Sequence, residues 1–304
     1  MGVYTIDPRD LSQPELHRYL LSAVAPRPIC LASTIDTDGN VNLSPFSFFN
    51  VFSSNPPIMV FSPARGGSNN ANKHTFLNID EVKEVVINIV NYPIVEQMSL
   101  SSTSYNKGVN EFVKAGFTQI KSTKVRPPRV GEAPVAFECG VDNVIELGNG
   151  PGAGNLIIAR VKLIHIQEKY LDVNGMLDTT ALDLVARMGG SWYCRASGDA
   201  LFEIPKPLKI RGIGVDQLPQ SIKMSTVLTG NNLGRLGNME QLPSAYEVHS
   251  VKEMEEVRDL LQQNYESPFL TKIALHRLAK KWIDNGNSDI AIRVLMLADE
   301  LTQE

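Results

Sequence analysis

The chain has 304 residues, a formal net charge of −4 at pH 7 and 43% apolar residues. A disordered chain would combine low hydrophobicity with high net charge, so this composition indicates a folded protein of one or two domains. The near-neutral charge argues against a dedicated nucleic-acid-binding protein. The three cysteines and five histidines are scattered, with neither a disulfide framework nor zinc-ligand spacing. We therefore expect a reduced, cytoplasmic protein without a structural metal.

Targeting signals are not visible in the sequence. The N-terminal residues lack the basic segment followed by an apolar stretch that marks a signal peptide. No apolar run approaches the roughly 18 residues that a membrane-spanning helix needs. We expect neither a membrane protein nor a nucleic-acid partner.

The first 170 residues alternate between strand signals and short helix signals. A helix is predicted over residues 12–23, because Ser12 can cap it and Pro14 lies in its first turn. Asp38 and Gly39 predict a hairpin turn. Shorter helices are predicted over residues 75–81, 93–100 and 110–115, with Gly116 ending the last of them. Strands are predicted over residues 29–34, over a returning segment that starts at Val41 and continues through residues 46–52, and over residues 58–62, 85–90, 135–147 and 156–167.

A glycine-rich run lies between the last two predicted strands. Gly148, Gly150 and Ala153 fit a loose dinucleotide-binding fingerprint. That fingerprint needs a helix after the turn, because the pyrophosphate binds at the helix N-terminus. The following residues 156–161 have the character of a strand. We therefore predict a β-hairpin loop here and no Rossmann site.

The character of the sequence changes near residue 205. Residues 204–207 (IPKP) are typical of a linker, and an irregular stretch is predicted to about Tyr246. Three amphipathic helices should follow: one after a capping box of Ser250 and Glu253, one after Ser267, and one after Asn287 or Ser288. The sequence thus predicts a β-rich domain over residues 1–204, and a linker plus helical extension over residues 205–304.

Polar side chains are concentrated beside apolar strands in residues 26–78. Hydroxyls and amides there, with Lys73 as a cation, suit a flat aromatic ligand that carries a phosphorylated tail. Thr75 lies where a helix begins, and a helix N-terminus favours an anion. The same residue types also serve as ordinary turn and strand-end residues. Their spacing alone does not identify a flavin.

Several ordered motifs resemble one family. They are residues 23–29 (AVAPRPI), Ser33-Thr34, residues 42–50 (NLSPFSFFN), residues 73–79 (KHTFLNI) and residues 187–193 (RMGGSWY). Over about residues 15–195 the chain is similar to the flavin reductase-like, FMN-binding split-barrel family, of the flavoredoxin type. His74 departs from the pattern, since the family has aspartate there.

The resemblance implies a mainly β, α+β fold: a six-stranded split β-barrel, homodimeric, with FMN near the dimer interface. Ser33 and Thr34 would meet the ring or ribityl chain, the turn from Ser44 would follow the ring edge, and the glycine pair with Tyr193 would close the pocket. The implied cofactor-binding residues are Arg27, Ser33, Thr34, Ser44, Pro45, Phe46, Ser47, Asn50, Ser62, Lys73, Thr75, Gly189, Gly190 and Tyr193.

The resemblance also implies an oxidoreductase in which FMN takes hydride from NADH or NADPH and passes electrons to an acceptor. Such chemistry belongs to the cofactor, so we assign no catalytic residue. One alternative is a non-catalytic FMN-binding electron carrier or partner-binding module. Another is a barrel that has lost flavin and binds heme, with His74 or His165 as the axial ligand.

Overall fold

The computed structural model describes residues 2–204, 211–263 and 267–301. The expected linker residues 205–207 lie outside this part of the chain. Two compact units are present, Met1–Phe202 and Glu203–Glu304, and we call them the N-terminal and C-terminal units. No helix among the described residues is long and apolar enough to cross a membrane. The same residues contain no group of three or more His, Cys, Asp or Glu side chains that could hold a metal ion.

The N-terminal unit is built from antiparallel strands with a few short helices. Its helices are α1 (Gln13–Ala23), α2 (His74–Val82), α3 (Val95–Leu100) and α4 (Glu111–Ala115). Its strands are β1 (Arg27–Pro28), β2 (Cys30–Ile35), β3 (Val41–Phe46), β4 (Phe49–Ser54), β5 (Pro57–Phe61), β6 (Glu84–Ile89), β7 (Gln119–Ile120), β8 (Arg129–Val130), β9 (Val135–Glu146), β10 (Asn155–Ile166), β11 (Val185–Arg187) and β12 (Tyr193–Arg195).

The main sheet curls on itself. In the described residues it contains seven antiparallel strands in the order β3-β2-β6-β9-β10-β5-β4. Only Ser47 and Phe48 separate β3 from β4, although these strands form opposite edges of the sheet. The two edges therefore meet at this bend, and the Ser62 amide, just after β5, extends the β4–β5 pairing to it by donating to the Phe48 carbonyl at 2.9 Å.

This geometry confirms the expected α+β split-barrel class. The sheet has seven described strands where the resemblance implied six. The chain from Val41 to Ser54, predicted as one returning strand, bends at Ser47 and contributes one strand to each edge. The glycine-rich run forms the β9–β10 hairpin loop, as predicted.

Apolar residues fill the barrel and cover its outer face. Phe61, Ile79 and Ile157 lie in the cluster that contains Cys30 and Ala32 of β2. Alternate residues of β2 belong to a second cluster, which includes Leu31 and Phe112 and lies against α3 and α4. β2 is therefore buried on both faces, which explains why its sequence is continuously apolar up to Ser33.

The three thiols differ in their surroundings. Cys30 and Cys139 are buried, and burial raises the pKa of Cys139 to about 12 and that of Cys30 well above its ordinary value. Cys194 is only half-buried. Because the thiolate is the nucleophile, we expect Cys194 alone to react rapidly with a disulfide reagent in the folded protein. The other two thiols should react at least roughly 100-fold more slowly. Cys194→Ser should abolish the fast phase, and unfolding should expose all three thiols.

The C-terminal unit is helical over more of its length than predicted. Its helices are α5 (Gln220–Lys223), α6 (Gly230–Gly237), α7 (Ala245–Ser250), α8 (Glu255–Gln263), α9 (Pro268–Asp284) and α10 (Ser288–Glu300). The prediction of an irregular stretch to Tyr246 was wrong. α6 forms despite its three glycines, because Thr229 caps it and Leu236 is fully buried in the core. Tertiary burial here outweighs low helix propensity.

The predicted capping box at Ser250 and Glu253 was also wrong. The box lies earlier, where the Glu247 carboxylate accepts hydrogen bonds from the backbone N–H and the hydroxyl of Ser244. Ser250 therefore falls in the last turn of α7 and donates its hydroxyl to the Glu247 carbonyl. The other two helix starts are confirmed, at Ser267 and at Asn287.

His276 gives the C-terminal unit an expected pH dependence. The side chain is buried, its Nδ1 lies 2.8 Å from Ser225 Oγ, and its Nε2 has no partner in the described residues. Burial, together with the charge of Lys272, lowers the pKa of His276 below its ordinary value, and only Asp299 opposes this shift. The unfolded imidazole thus takes up a proton at a higher pH than the folded one.

Stability linked to His276 is therefore present above about pH 6.5 and is lost as the pH falls through the lower folded pKa. The loss can reach about 1.4 kcal/mol per pH unit for one proton. Thermal unfolding at pH 7.5 and 5.5 measures it. His276→Gln should flatten this dependence, whereas His249→Gln, at an exposed histidine paired with Glu300, should not. Equal pH slopes in the wild type and in His276→Gln would contradict the prediction.

Candidate functional site

A buried polar network joins the barrel to the first turn of α2. Thr34 on β2 is fully buried and accepts a hydrogen bond from Asn78 Nδ2 at 3.2 Å. Asn42 on β3 donates from Nδ2 to Thr75 Oγ1 at 2.9 Å. Two of the expected site residues, Thr34 and Thr75, thus each accept one of these bonds, and Thr34 faces Asn42 in the β2–β3 register. Each hydroxyl accepts a bond there, so each still has a proton to donate.

Ser33 and Thr34 point to opposite faces of β2, because successive side chains in a strand alternate. Thr34 shares a face with Ala32, and Ser33 shares the outer face with Leu31. Ser33 Oγ is buried and has no hydrogen-bond partner in the described residues. An unsatisfied buried hydroxyl is costly. A single ligand cannot meet both side chains from one face, although the resemblance implied contacts with both.

The loop between β5 and α2 is held by a side chain from β10. Ser62 Oγ accepts from the Asn155 amide N–H at 3.1 Å, and Asn155 Nδ2 donates to the Pro63 carbonyl at 3.0 Å. Asn155 is fully buried, and its Oδ1 has no partner in the part of the chain that the structure describes. Sequence reasoning missed Asn155, because its partners lie more than 80 residues away in the chain.

Arg65 orders the middle of the same loop. Its guanidinium donates to Asn70 Oδ1 at 2.9 Å, to Asn72 Oδ1 at 3.0 Å and to the Asn70 carbonyl at 2.9 Å. Arg65 was also missed as a candidate. The available signal was an arginine just after a buried strand, in a loop rich in glycine and asparagine.

Lys73 ends this loop and immediately precedes α2. Its side chain is exposed, and no hydrogen bond or ion pair engages it within the described residues. The backbone N–H groups of the first helical turn carry partial positive charge. Lys73, Thr75 and the start of α2 therefore form a place where an anion would be stabilised. His74, the departure from the family pattern, is half-buried beside them.

The bend between β3 and β4 provides an apolar wall with a polar edge. Ser44, Pro45, Phe46 and Ser47 are all partly buried. The Phe46 ring lies 5.4 Å from the Phe61 ring, centroid to centroid. Asn50 is exposed on β4, and its Oδ1 accepts the N–H of the next residue at 2.8 Å. Asn50 is thus oriented along its own strand in this structure.

The β11–β12 hairpin packs beside the same bend. β1 pairs with β11, so that Arg27 faces Arg187 in the register. The Arg187 guanidinium donates to the Gly190 carbonyl at 2.7 Å and lies 4.5 Å from the centre of the Tyr193 ring. Gly190 has φ +58°, a conformation that favours glycine. Arg27 is buried, and its guanidinium hydrogen bonds go to three backbone carbonyls.

The candidate residues thus form three contiguous groups. Thr34 and Thr75 each accept one of the two buried hydrogen bonds, and Lys73 lies two residues before Thr75 in the chain. Ser62 is joined to the β3–β4 bend by its backbone bond to Phe48. Arg27 joins that bend to the turn of Gly189 and Gly190, Gly189 being the residue after Met188. Asn42 and the bend are on or next to β3, so the first group is connected to the other two through this edge strand of the sheet.

Two of the buried carboxyl groups outside these three groups are Glu138 and Glu111. Glu138 is fully buried and accepts from the amides of Thr123 and Lys124 and from His165 Nε2 at 2.6 Å. Burial alone would raise its pKa, but these three hydrogen bonds outweigh burial and hold the pKa below its ordinary value. Burial raises the pKa of Glu111, whose carboxylate accepts the Leu43 N–H. His165 is therefore paired with the same carboxylate that holds the backbone of Thr123 and Lys124.

Comparisons with known proteins identify the family to which this part of the chain is similar. A family model described as "Flavin reductase like domain" matches residues 22–181. An uncharacterised protein of Aquifex aeolicus is 34% identical over 189 residues, which is 62% of this chain and 94% of that protein. The match to the family model ends before the C-terminal unit begins.

Two solved structures resemble the chain. Nitrilotriacetate monooxygenase component B from Bacillus cereus is 26% identical with a TM-score of 0.63, and the alignment covers 67% of this chain and 100% of that one. A Shewanella frigidimarina protein with a split barrel domain is 25% identical with a TM-score of 0.57, covering 67% of this chain and 100% of that one.

Proposed function

Because this chain belongs to the flavin reductase-like family of split-barrel flavoproteins, we propose that it binds FMN and uses it to oxidise NADH or NADPH. Electrons would then pass from the flavin to an acceptor. The observation that carries the proposal is Lys73, an exposed cation without a partner in the described residues, beside Thr75 at the start of α2. We infer that this is the phosphate end of the flavin site.

The donor set fits a phosphorylated flavin. A phosphate is held by cations, hydroxyls and amide N–H groups, and Lys73, Thr75 and the first turn of α2 supply one of each. Ser62 and Asn155 lie at the other end of the loop that leads to Lys73, and Asn155 Oδ1 lacks a partner in the described residues. A polyol chain offers hydroxyl protons to such acceptors.

The ring end of the site would lie along the β3–β4 bend. Phe46 supplies apolar surface, and the Ser44 and Ser47 hydroxyls supply polar edge contacts. A bound flavin supplies the two-electron chemistry itself, and the residues here bind it, orient it and exclude water from its faces. No protein acid or base is required, so we assign none. Gly189, Gly190 and Tyr193 would cover the ring from the hairpin side.

We also propose that the protein is a homodimer. α1 has no buried residue; Tyr19 on this helix is 50% exposed, and Val24, directly after it, is 63% exposed. Phe52 and Trp192 are exposed to 69% and 78%. Large exposed apolar side chains are typical of subunit interfaces where they lie together on a surface. Light scattering on the full chain measures this state.

We also propose that the protein is cytoplasmic, because all three of its cysteines are free thiols and the cytoplasm is a reducing compartment.

The test of the proposed function is the visible absorption spectrum of the purified protein, with added FMN where none co-purifies. Oxidised flavin absorbs near roughly 370 and 450 nm, and anaerobic NADH or NADPH should bleach these bands. Bands that persist with both nicotinamides would favour the carrier alternative. A protein that is colourless and does not take up FMN would overturn the flavin proposal.

A further inference from the structure

Arg27 is a buried cation with an unusual set of partners. Its side chain is 6% exposed. Nη1 donates to the carbonyls of Leu21 and Val24, each at 2.6 Å, and Nη2 donates to the Met188 carbonyl at 3.0 Å. Nε points to Ser47 Oγ at 3.4 Å. Among the described residues, no carboxylate forms an ion pair with it, so its hydrogen bonds go almost entirely to backbone.

These partners belong to three separate segments. Leu21 lies in the last turn of α1 and Val24 directly follows the helix, where backbone carbonyls have no partner within the helix. Ser47 lies in the bend between β3 and β4. Met188 is 161 residues from Arg27 in the chain and begins the turn between β11 and β12. A planar guanidinium can reach all three directions at once, whereas a lysine ammonium cannot.

The contact between α1 and the β11–β12 turn is tight. A Cβ atom on Gly189 would lie 3.1 Å from the Ser22 Cα and closer still to the Ser22 hydroxyl. The helix end therefore rests directly on the turn, and Arg27 bonds to the backbone on both sides of this contact. Removing the guanidinium would release the helix end, the turn and the bend together.

We propose that Arg27 is a positioning residue, which fixes the β3–β4 bend and the β11–β12 turn against each other and thereby shapes both walls of the flavin site without touching the flavin. The proposal rests on the proposed function for the identity of the ligand. Four of the five N–H donors of Arg27 already point at protein acceptors. A role as phosphate ligand, which the resemblance allowed, would require these bonds to break.

The experiment compares FMN with riboflavin, which lacks the phosphate. In Arg27→Met, the dissociation constants of both flavins should rise by the same factor, about tenfold, because the walls and not the phosphate contact are disturbed. Arg27→Lys keeps the positive charge but loses the planar set of guanidinium N–H donors, so it should behave like Arg27→Met. Arg160→Met removes an exposed arginine, paired with Asp142 on the strands β10 and β9, and should leave both constants unchanged.

Hydrogen exchange measured by mass spectrometry gives a second readout without flavin. Amides at the end of α1 and in residues 188–193 should exchange faster in both Arg27 variants than in Arg160→Met. Should Arg27→Met fail to fold, Arg27→Lys carries both measurements.

The outcomes separate the two proposals. Weaker binding of FMN alone, with riboflavin unaffected, would mean a direct phosphate contact and overturn the positioning role. Unchanged affinities in both Arg27 variants would overturn it as well, as would unchanged exchange at α1 and residues 188–193. A wild-type protein that binds neither flavin would instead refute the proposed function, and the exchange measurement would still judge the positioning role.

Discussion

Replacing Lys73 by alanine should weaken FMN binding by about 10- to 100-fold and leave riboflavin binding unchanged. A hydrogen bond to a charged group contributes about 1.5–3 kcal/mol, which corresponds to this range. Lys73 is exposed, so its removal exposes no core and leaves no buried group unpaired. The loss should therefore fall on the phosphate alone. Fluorescence titration with both flavins measures it.

The matched control is Lys121→Ala. Lys121 is also an exposed lysine, but it lies in the basic loop before β8. Its removal changes the net charge by the same amount, so a purely long-range electrostatic effect would weaken binding in both variants. Unchanged FMN affinity in Lys73→Ala would remove Lys73 from the phosphate site. Equal losses for FMN and riboflavin would mean that the substitution disturbs α2 and not a phosphate contact.

Two truncations of the chain should behave in opposite ways. A chain of residues 1–202 should stay folded and retain flavin binding, because the apolar clusters of the N-terminal unit contain only residues of that unit. A chain of residues 1–246 should aggregate. It keeps Leu218, Ile222 and Leu236 but loses the helices that bury them.

The reason is the composition of the C-terminal core. Leu236 and Ile222 are fully buried against residues of α8, α9 and α10, among them Val257, Leu275 and Leu295. Exposing a large apolar side chain costs about 1.5–3 kcal/mol each. Size-exclusion chromatography with light scattering distinguishes the two chains. A soluble, monodisperse chain of residues 1–246 would contradict this account, as would precipitation of residues 1–202.

Local signals in the sequence were sufficient for most of the secondary structure. Asp38 and Gly39 form the predicted turn, with Gly39 at φ +92°, and Gly116 ends α4 at φ +71°. Ser267 and Pro268 begin α9 as expected. Each of these features depends on the conformational preferences of a few adjacent residues, so it can be predicted without knowledge of the fold.

The failures share a different cause. α6 was predicted as irregular because glycines lower helix propensity, yet the burial of Leu236 stabilises it. The strands β11 and β12 were not predicted, since both are very short and β11 has its second partner in the distant strand β1. Asn155 and Arg65 were missed as site residues for the same reason: their significance comes from what they contact.

For this protein, the sequence by itself determined the family and most of the longer strands and helices, and it supplied the polar residues that we propose for the flavin site. The match over residues 22–181 supports that family assignment. Only the tertiary structure decided how those residues are used. The curled sheet brings Ser62 to the β3–β4 bend, and it separates Ser33 from Thr34 by strand alternation. It also engages Arg27 with a carbonyl 161 residues away. Hydrogen bonds and burial between distant segments depend on chain packing, which no local pattern encodes.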